Sequence, residues 1–195
     1  MHKRLFLLFL VHCLLWSQQP AMVKPSVSQL FAEDQKDRSH AMGMPDAQWQ
    51  KVRARDAERR RILRQLLAAG PLENARAYKQ AAFILQHGDA PDDYLLAHVL
   101  ASTAVAQGDP AARYIAAATL DRYLQSIHQP QIYGTQYDWK HPGPKPRDAT
   151  QAPYNFGLVS DSLRAESCVV SLRQQLENVR ALDAGKDMPW PDGCR

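Results

Sequence analysis

The side chains best suited to binding or catalysis are His87, His98, Asp121, Arg122 and the string Gln131, Tyr133, Gly134, Thr135 and Gln136 inside PQIYGTQY. Imidazole changes charge near neutrality, so either histidine suits a general base or a ligand. A histidine amid apolar neighbours, as His98 is, more commonly serves as a hydrogen-bonded core residue. His87 precedes Gly88 and suits a helix C-terminus, where it interacts with the last carbonyls. Asp121 and Arg122 are adjacent, so on a helix they point about 100° apart and must bond different segments.

Two readings fit the PQIYGTQY string. Pro130 forbids continuation of the preceding helix, leaving carbonyls and the following chain in need of partners. Gly134 supplies a backbone conformation that other residues resist, and Gln131, Thr135 and Gln136 bring donors and acceptors that clamp the turn to Asp121, Arg122 or His98. The alternative is a polar pocket floored by His98 that takes a small ligand. No phosphate loop, nucleophile elbow, H-E-x-x-H or C-x-x-C occurs, and the two histidines lack metal-ligand spacing on one helix. No cofactor and no metal is therefore expected.

The elements that must position these groups read as helices. A segment from Asp46 to about Ala69, closed by Gly70-Pro71, places Trp49, Val52, Leu63, Leu66 and Leu67 on one side. Its basic stretch, Lys51 to Arg64, is expected to be a solvated face laced by Asp56–Arg60 and Glu58–Arg61 pairs. Asp56 falls inside the apolar stripe and needs a partner. A second helix covers Ala75 to His87. A third starts at Pro91 and is apolar or small almost all round to Ala106, which marks it as central. Gly108-Asp109-Pro110 ends that helix and caps a fourth, Pro110 to about Ile127, giving an antiparallel hairpin. Tyr78-x-x-Ala81-Ala82 and Tyr114-x-x-Ala117-Ala118 repeat at a TPR-like spacing. A Pro-rich loop over about 138–159, a short helix opened by Ser160-Asp161 and a last helix capped at Ser171-x-x-Gln174 complete the chain. The expected fold is all-α: a single-domain antiparallel helical bundle over 46–185, after a flexible lead-in at 22–45 and before a tail at 186–195.

Met1-His2-Lys3-Arg4 followed by the apolar run Leu5 to Trp16 reads as a secretory signal peptide, or an N-terminal anchor, over 1–21. The run is too short to span a bilayer at about 20 residues per helix, so the mature chain carries no expected span and the location is periplasmic or secreted. Loss of Lys3 and Arg4 with the leader lowers the formal net charge from +4 to +2, too small and scattered an excess for a nucleic-acid partner. Cys168 and Cys194 then remain, and in an oxidising compartment such a pair is expected to form a disulfide that pins the tail.

Much of the chain, from about 48 to 180, resembles an uncharacterised bacterial family of domains of unknown function. The likeness rests on AAFILQHGDAPDDYLLAHVLA, AAATLDRYLQSIHQPQIYGTQY and LVSDSLRAESCVVSLRQQ, and the family's members carry a Q-H-G, a D-R and a Q-x-Y/F-G-T-Q string. The resemblance implies that Gln86, His87, Gly88, Asp121, Arg122, Gln131, Tyr133, Gly134, Thr135 and Gln136 are marked positions. It also implies that Asp56 and Arg60 form an acidic–basic pair, although Ala57 stands where Gln is usual. Ser167-Cys168 departs from the family's Gly-containing turn, which fits a lineage-specific bridge to Cys194. The resemblance brings no activity. The leading functional expectation is an exported helical binding module for a peptide, protein or small molecule. The other is a small hydrolase or lyase in which a buried histidine acts with Asp121, Arg122 or Gln136.

Overall fold

The computed structural model describes residues 25–39, 44–139 and 148–186. The signal peptide or anchor over 1–21 and nearly all of the tail lie outside the described residues, as do Cys194, Pro142, Pro144 and Pro146.

The fold is an all-α bundle, and it begins earlier than expected. Residues 22–45 are not simply a flexible lead-in, because they contain α1 (Val27–Arg38). Its N-terminus is a reciprocal capping box: Gln29 N donates to Ser26 Oγ at 3.2 Å and Ser26 N donates to Gln29 Oε1 at 2.8 Å. Val27 and Leu30 are buried in the same core as Leu63, Ile84 and Leu85, and Phe31 meets Phe83 with ring centroids 5.8 Å apart. Helix α1 is therefore a wall of the bundle.

Helix α2 (Asp46–Ala69) ends at Gly70, whose φ of 148° stops the helix. Helix α3 (Ala75–Leu85) starts at Asn74, whose side chain accepts from Ala77 N at 3.0 Å, and it stops before His87. Pro91 opens α4 (Pro91–Ala106). Ala97, Leu100, Ala101 and Ala104 are buried in the core that α4 shares with α3 and α5 (Arg113–Ser126), and the small alanines let the backbones approach closely. Leu95 and Val99 lie exposed, so this central helix keeps one edge in solvent.

The punctuation between α4 and α5 is as the sequence predicts. Gly108 turns with φ 91°, Asp109 accepts from Ala111 N at 3.0 Å, and Pro110 opens a single 3₁₀ turn (Pro110–Ala112) that feeds α5. Lys79 adds a 2.8 Å ion pair to Asp109 from α3.

After α5 the described chain is mostly irregular. Strands β1 (Asp138–Trp139) and β2 (Ala149–Thr150) form one two-residue antiparallel pair, and Gln131 bridges Tyr154 in parallel. Two short elements close the domain, α6 (Asp161–Glu166) and α7 (Leu172–Asp183). Ser171 Oγ accepts from Gln174 N at 3.3 Å, as a cap should, while the Gln174 side chain turns to Asn178. No described helix is long and apolar enough to cross a membrane.

Candidate functional site

Asp121 is fully buried on α5, yet its carboxylate is surrounded by donors from the polar string. Oδ1 accepts from Ile132 N at 2.8 Å and Tyr133 N at 3.0 Å; Oδ2 accepts from Thr135 N at 2.9 Å and Thr135 Oγ1 at 2.7 Å. Successive backbone N–H groups curled around one anion make a nest, and here the anion belongs to the protein itself. Gly134 makes the curl possible: its φ is 79°, and a Cβ there would collide with Gln175 Oε1 and the Tyr154 phenol.

The glutamines lock the outside of this turn. Gln131, also fully buried, donates to the carbonyls of Gln136 and Gln151 and accepts from Gln136 N at 3.0 Å. Gln136 donates to Ala118 O at 3.3 Å and to Thr135 Oγ1 at 2.9 Å. Two residues with no sequence signal complete the lock. Gln175 on α7 donates to Tyr133 O at 2.9 Å and Val170 O at 3.0 Å, and Gln151 donates to Gly134 O. Behind them Arg164 holds the Tyr154 hydroxyl at 2.9 Å. The string thus joins α5, α7 and the loop, and its polar atoms are largely spent on protein.

His98 lies on α4 and faces α5. Its Nδ1 is 2.9 Å from the Ala116 carbonyl, so this nitrogen carries the proton and in the neutral ring Nε2 keeps the lone pair. His98 also lines a pocket of about 390 Å³ together with Ser102, Arg113, Tyr133, Glu166 and Ser167, with Val105, Ala116 and Ala117 as its apolar wall. Arg113 and Glu166 form a long ion pair of 3.9 Å at this pocket.

His87 belongs to a third place, where α1, α2 and the end of α3 meet. It does not cap α3 through the last carbonyls. Its Nδ1 is instead 2.9 Å from Oδ1 of the fully buried Asp34 on α1. Burial pushes the imidazole pKa below its ordinary value, outweighing the opposite pull of Asp34. Asp34 also receives Arg38 Nη1 at 2.8 Å, and Arg38 Nη2 continues to Asp56 Oδ2 at 2.7 Å.

Asp56 and Arg60 do not bond each other. Asp56 takes Arg38 and, at 2.7 Å, Arg59, whereas Arg60 donates to His87 O at 2.8 Å and Asp89 Oδ2 at 2.9 Å. The basic stretch is therefore not all a solvated face. Arg59 is 3% exposed and Arg60 8% exposed, each turned inward toward carboxylates from other segments. The Glu58–Arg61 pair stays on the surface, as expected.

Arg122 stands apart from Asp121. Its Nε is enclosed without a hydrogen-bond partner, and burial lowers the guanidinium pKa from its ordinary value. The candidate residues accordingly fall into separate groups. Asp121, Gln131, Tyr133, Thr135 and Gln136 converge; Tyr133 also reaches the His98 pocket; His87, Asp56 and Arg60 gather around α2; Arg122 bonds none of them. Among the described residues no three His, Cys, Asp or Glu side chains gather as metal ligands would. Cys168 is buried at the end of α6 with φ 59°, and its expected partner Cys194 lies outside the described residues. Compared with known proteins, the chain matches no family model, no curated protein and no solved structure.

Proposed function

We propose that the protein is an exported α-helical binding module that takes a small polar ligand, or the end of a peptide, in the pocket at His98. The observation that carries this reading is the pocket itself. Its volume of about 390 Å³ falls in the range of small-molecule sites, and its lining mixes an apolar wall with converging polar groups. Nδ1 of His98 is already committed to Ala116 O, so a ligand donor meets Nε2, while Arg113 and Glu166 offer one charge of each sign. The leader sequence supports a periplasmic or secreted location, and an oxidised Cys168–Cys194 pair belongs to the same reading.

Fragment titration of isotope-labelled protein tests it. Ligands that shift His98, Ser102 and Ser167 resonances together, and lose affinity in His98→Phe, support the pocket. A chemically diverse fragment set that moves none of the three rejects it.

The hydrolase or lyase reading keeps one specific support. In the neutral rings of both His87 and His98 the hydrogen bond at Nδ1 leaves Nε2 as the basic atom, the tautomer a general base needs. Asp121 and Gln136, however, already bond the protein's own backbone, so an enzyme of this fold has to orient its substrate with other groups.

A further inference from the structure

Arg113 and Glu166 face each other at the His98 pocket without closing on one another. Arg113 Nη1 stands 3.9 Å from Glu166 Oε2, too far for a hydrogen bond, and neither side chain bonds any other described residue. The exposed pair Arg61–Glu58 shows the contrast, since it closes to 2.6 Å. A guanidinium at the start of α5 and a carboxylate at the end of α6 thus keep their donors and acceptors unspent beside a cavity of about 390 Å³.

The opening between them has the dimensions of a zwitterion. In an α-amino acid, standard bond lengths place the ammonium nitrogen and the nearer carboxylate oxygen about 2.7 Å apart. Charge-assisted hydrogen bonds of about 2.8 Å, from that nitrogen to Glu166 and from Arg113 to that oxygen, close a four-sided ring across the 3.9 Å gap. A ligand with one charge satisfies one residue and sets a like charge against the other, so the pair selects against it. The rest of the lining suits the remainder of such a molecule. Val105, Ala116 and Ala117 form an apolar wall for its side chain, and His98 keeps Nε2 as a further acceptor because Nδ1 serves Ala116 O.

We infer that the ligand of the His98 pocket is a free α-amino acid, its carboxylate received by Arg113 and its ammonium group by Glu166. The inference rests on the pocket reading above and narrows its ligand to one class. It also separates a free amino acid from a peptide terminus, which brings only one of the two charges.

Titration of the isotope-labelled full-length protein with L-valine, valinamide, N-acetylvaline and N-acetylvalinamide tests this. The four share a side chain that fits the apolar wall, and they carry both charges, the ammonium alone, the carboxylate alone and neither. Valine is expected to shift the His98, Ser102 and Ser167 resonances and to bind at least about ten-fold more tightly than the other three. Arg113→Gln should bring valine down to the level of valinamide, and Glu166→Gln should bring it down to the level of N-acetylvaline. Both side chains are solvent-facing, so neither substitution disturbs the core. Equal binding of all four, or valine binding undiminished in both variants, overturns the zwitterion and leaves Arg113–Glu166 a surface ion pair beside a pocket for another ligand. No shift from these four, with other fragments still moving the three resonances, also overturns it while the pocket stands. Silence from the four and from the diverse fragment set removes the pocket as well.

Discussion

Thr135 binds Asp121 twice, its backbone N–H and its hydroxyl both reaching Oδ2, at 2.9 and 2.7 Å. Ile132 and Tyr133 occupy the other oxygen, so the most distinctive stretch of the sequence folds around a carboxylate on the helix that precedes it. A motif rich in amides and hydroxyls need not face a ligand. Here it supplies the donors that a buried charge requires.

Two glycines separate backbone strain from collision. Gly108 and Gly134 both have positive φ, but a Cβ at Gly108 meets open space while one at Gly134 meets Gln175 and Tyr154. Gly108→Ala is expected to cost about 1 kcal/mol from the conformation alone. Gly134→Ala adds overpacking of a further 1–3 kcal/mol or so. Chemical denaturation of the two variants measures the difference directly, and equal costs would show that the turn has room to spare.

Helix α1 behaves as part of the core. Leu30 is 2% exposed against α2 and α3 residues, so Leu30→Ala is expected to lower stability by about 3 kcal/mol without splitting the unfolding transition. An unchanged midpoint would mean that the segment before Asp46 is dispensable to the fold.

His87 sets an acid limit on stability. Its folded pKa lies below the ordinary 6.5, chiefly because burial disfavours the charged ring. The unfolded chain therefore binds the extra proton first, and stability is fully present above about pH 6.5 and lost as the pH falls through the folded pKa. Unfolding free energy followed from pH 7.5 downward should decline, and His87→Gln should flatten the decline. A slope unchanged by the substitution would assign the acid sensitivity elsewhere.

The tyrosine opposite Asn178 gives an alkaline counterpart. Burial pushes Tyr137 up to about 12, so the folded protein keeps a proton that the unfolded chain releases near 10, and stability falls as the pH rises through that interval. Burial raises Tyr114 and Tyr154 as well, so ultraviolet titration of phenolate formation should show several late-titrating tyrosines, and Tyr137→Phe should remove one of them.

How much of this was legible depends on the range of each interaction. Asp109 and Pro110 act on the next few residues, so the hairpin junction reads directly from composition. Asp121 meets Ile132 to Thr135 barely more than ten residues on, and was among the partners the sequence offered for that turn. His87 instead meets Asp34 across 53 positions, and the pairing hinges on α1, whose capping signal at Ser26 and Gln29 is outweighed by polar composition around it. Arg60 faces Asp89 rather than Asp56 because helical phase puts it toward the α3–α4 turn, a choice the i,i+4 rule does not see. Gln151 and Gln175 have no local signature, since their value lies only in the carbonyls that a distant turn presents to them.

The central claim is that the polar string is spent on Asp121, and a double-mutant cycle of Thr135→Val with Asp121→Ala measures it most directly. A hydroxyl bonded to a buried carboxylate should give a coupling of about 2 kcal/mol in unfolding free energy. Costs that simply add, within about 0.5 kcal/mol, would contradict the clamp and return the string to candidacy as a ligand site.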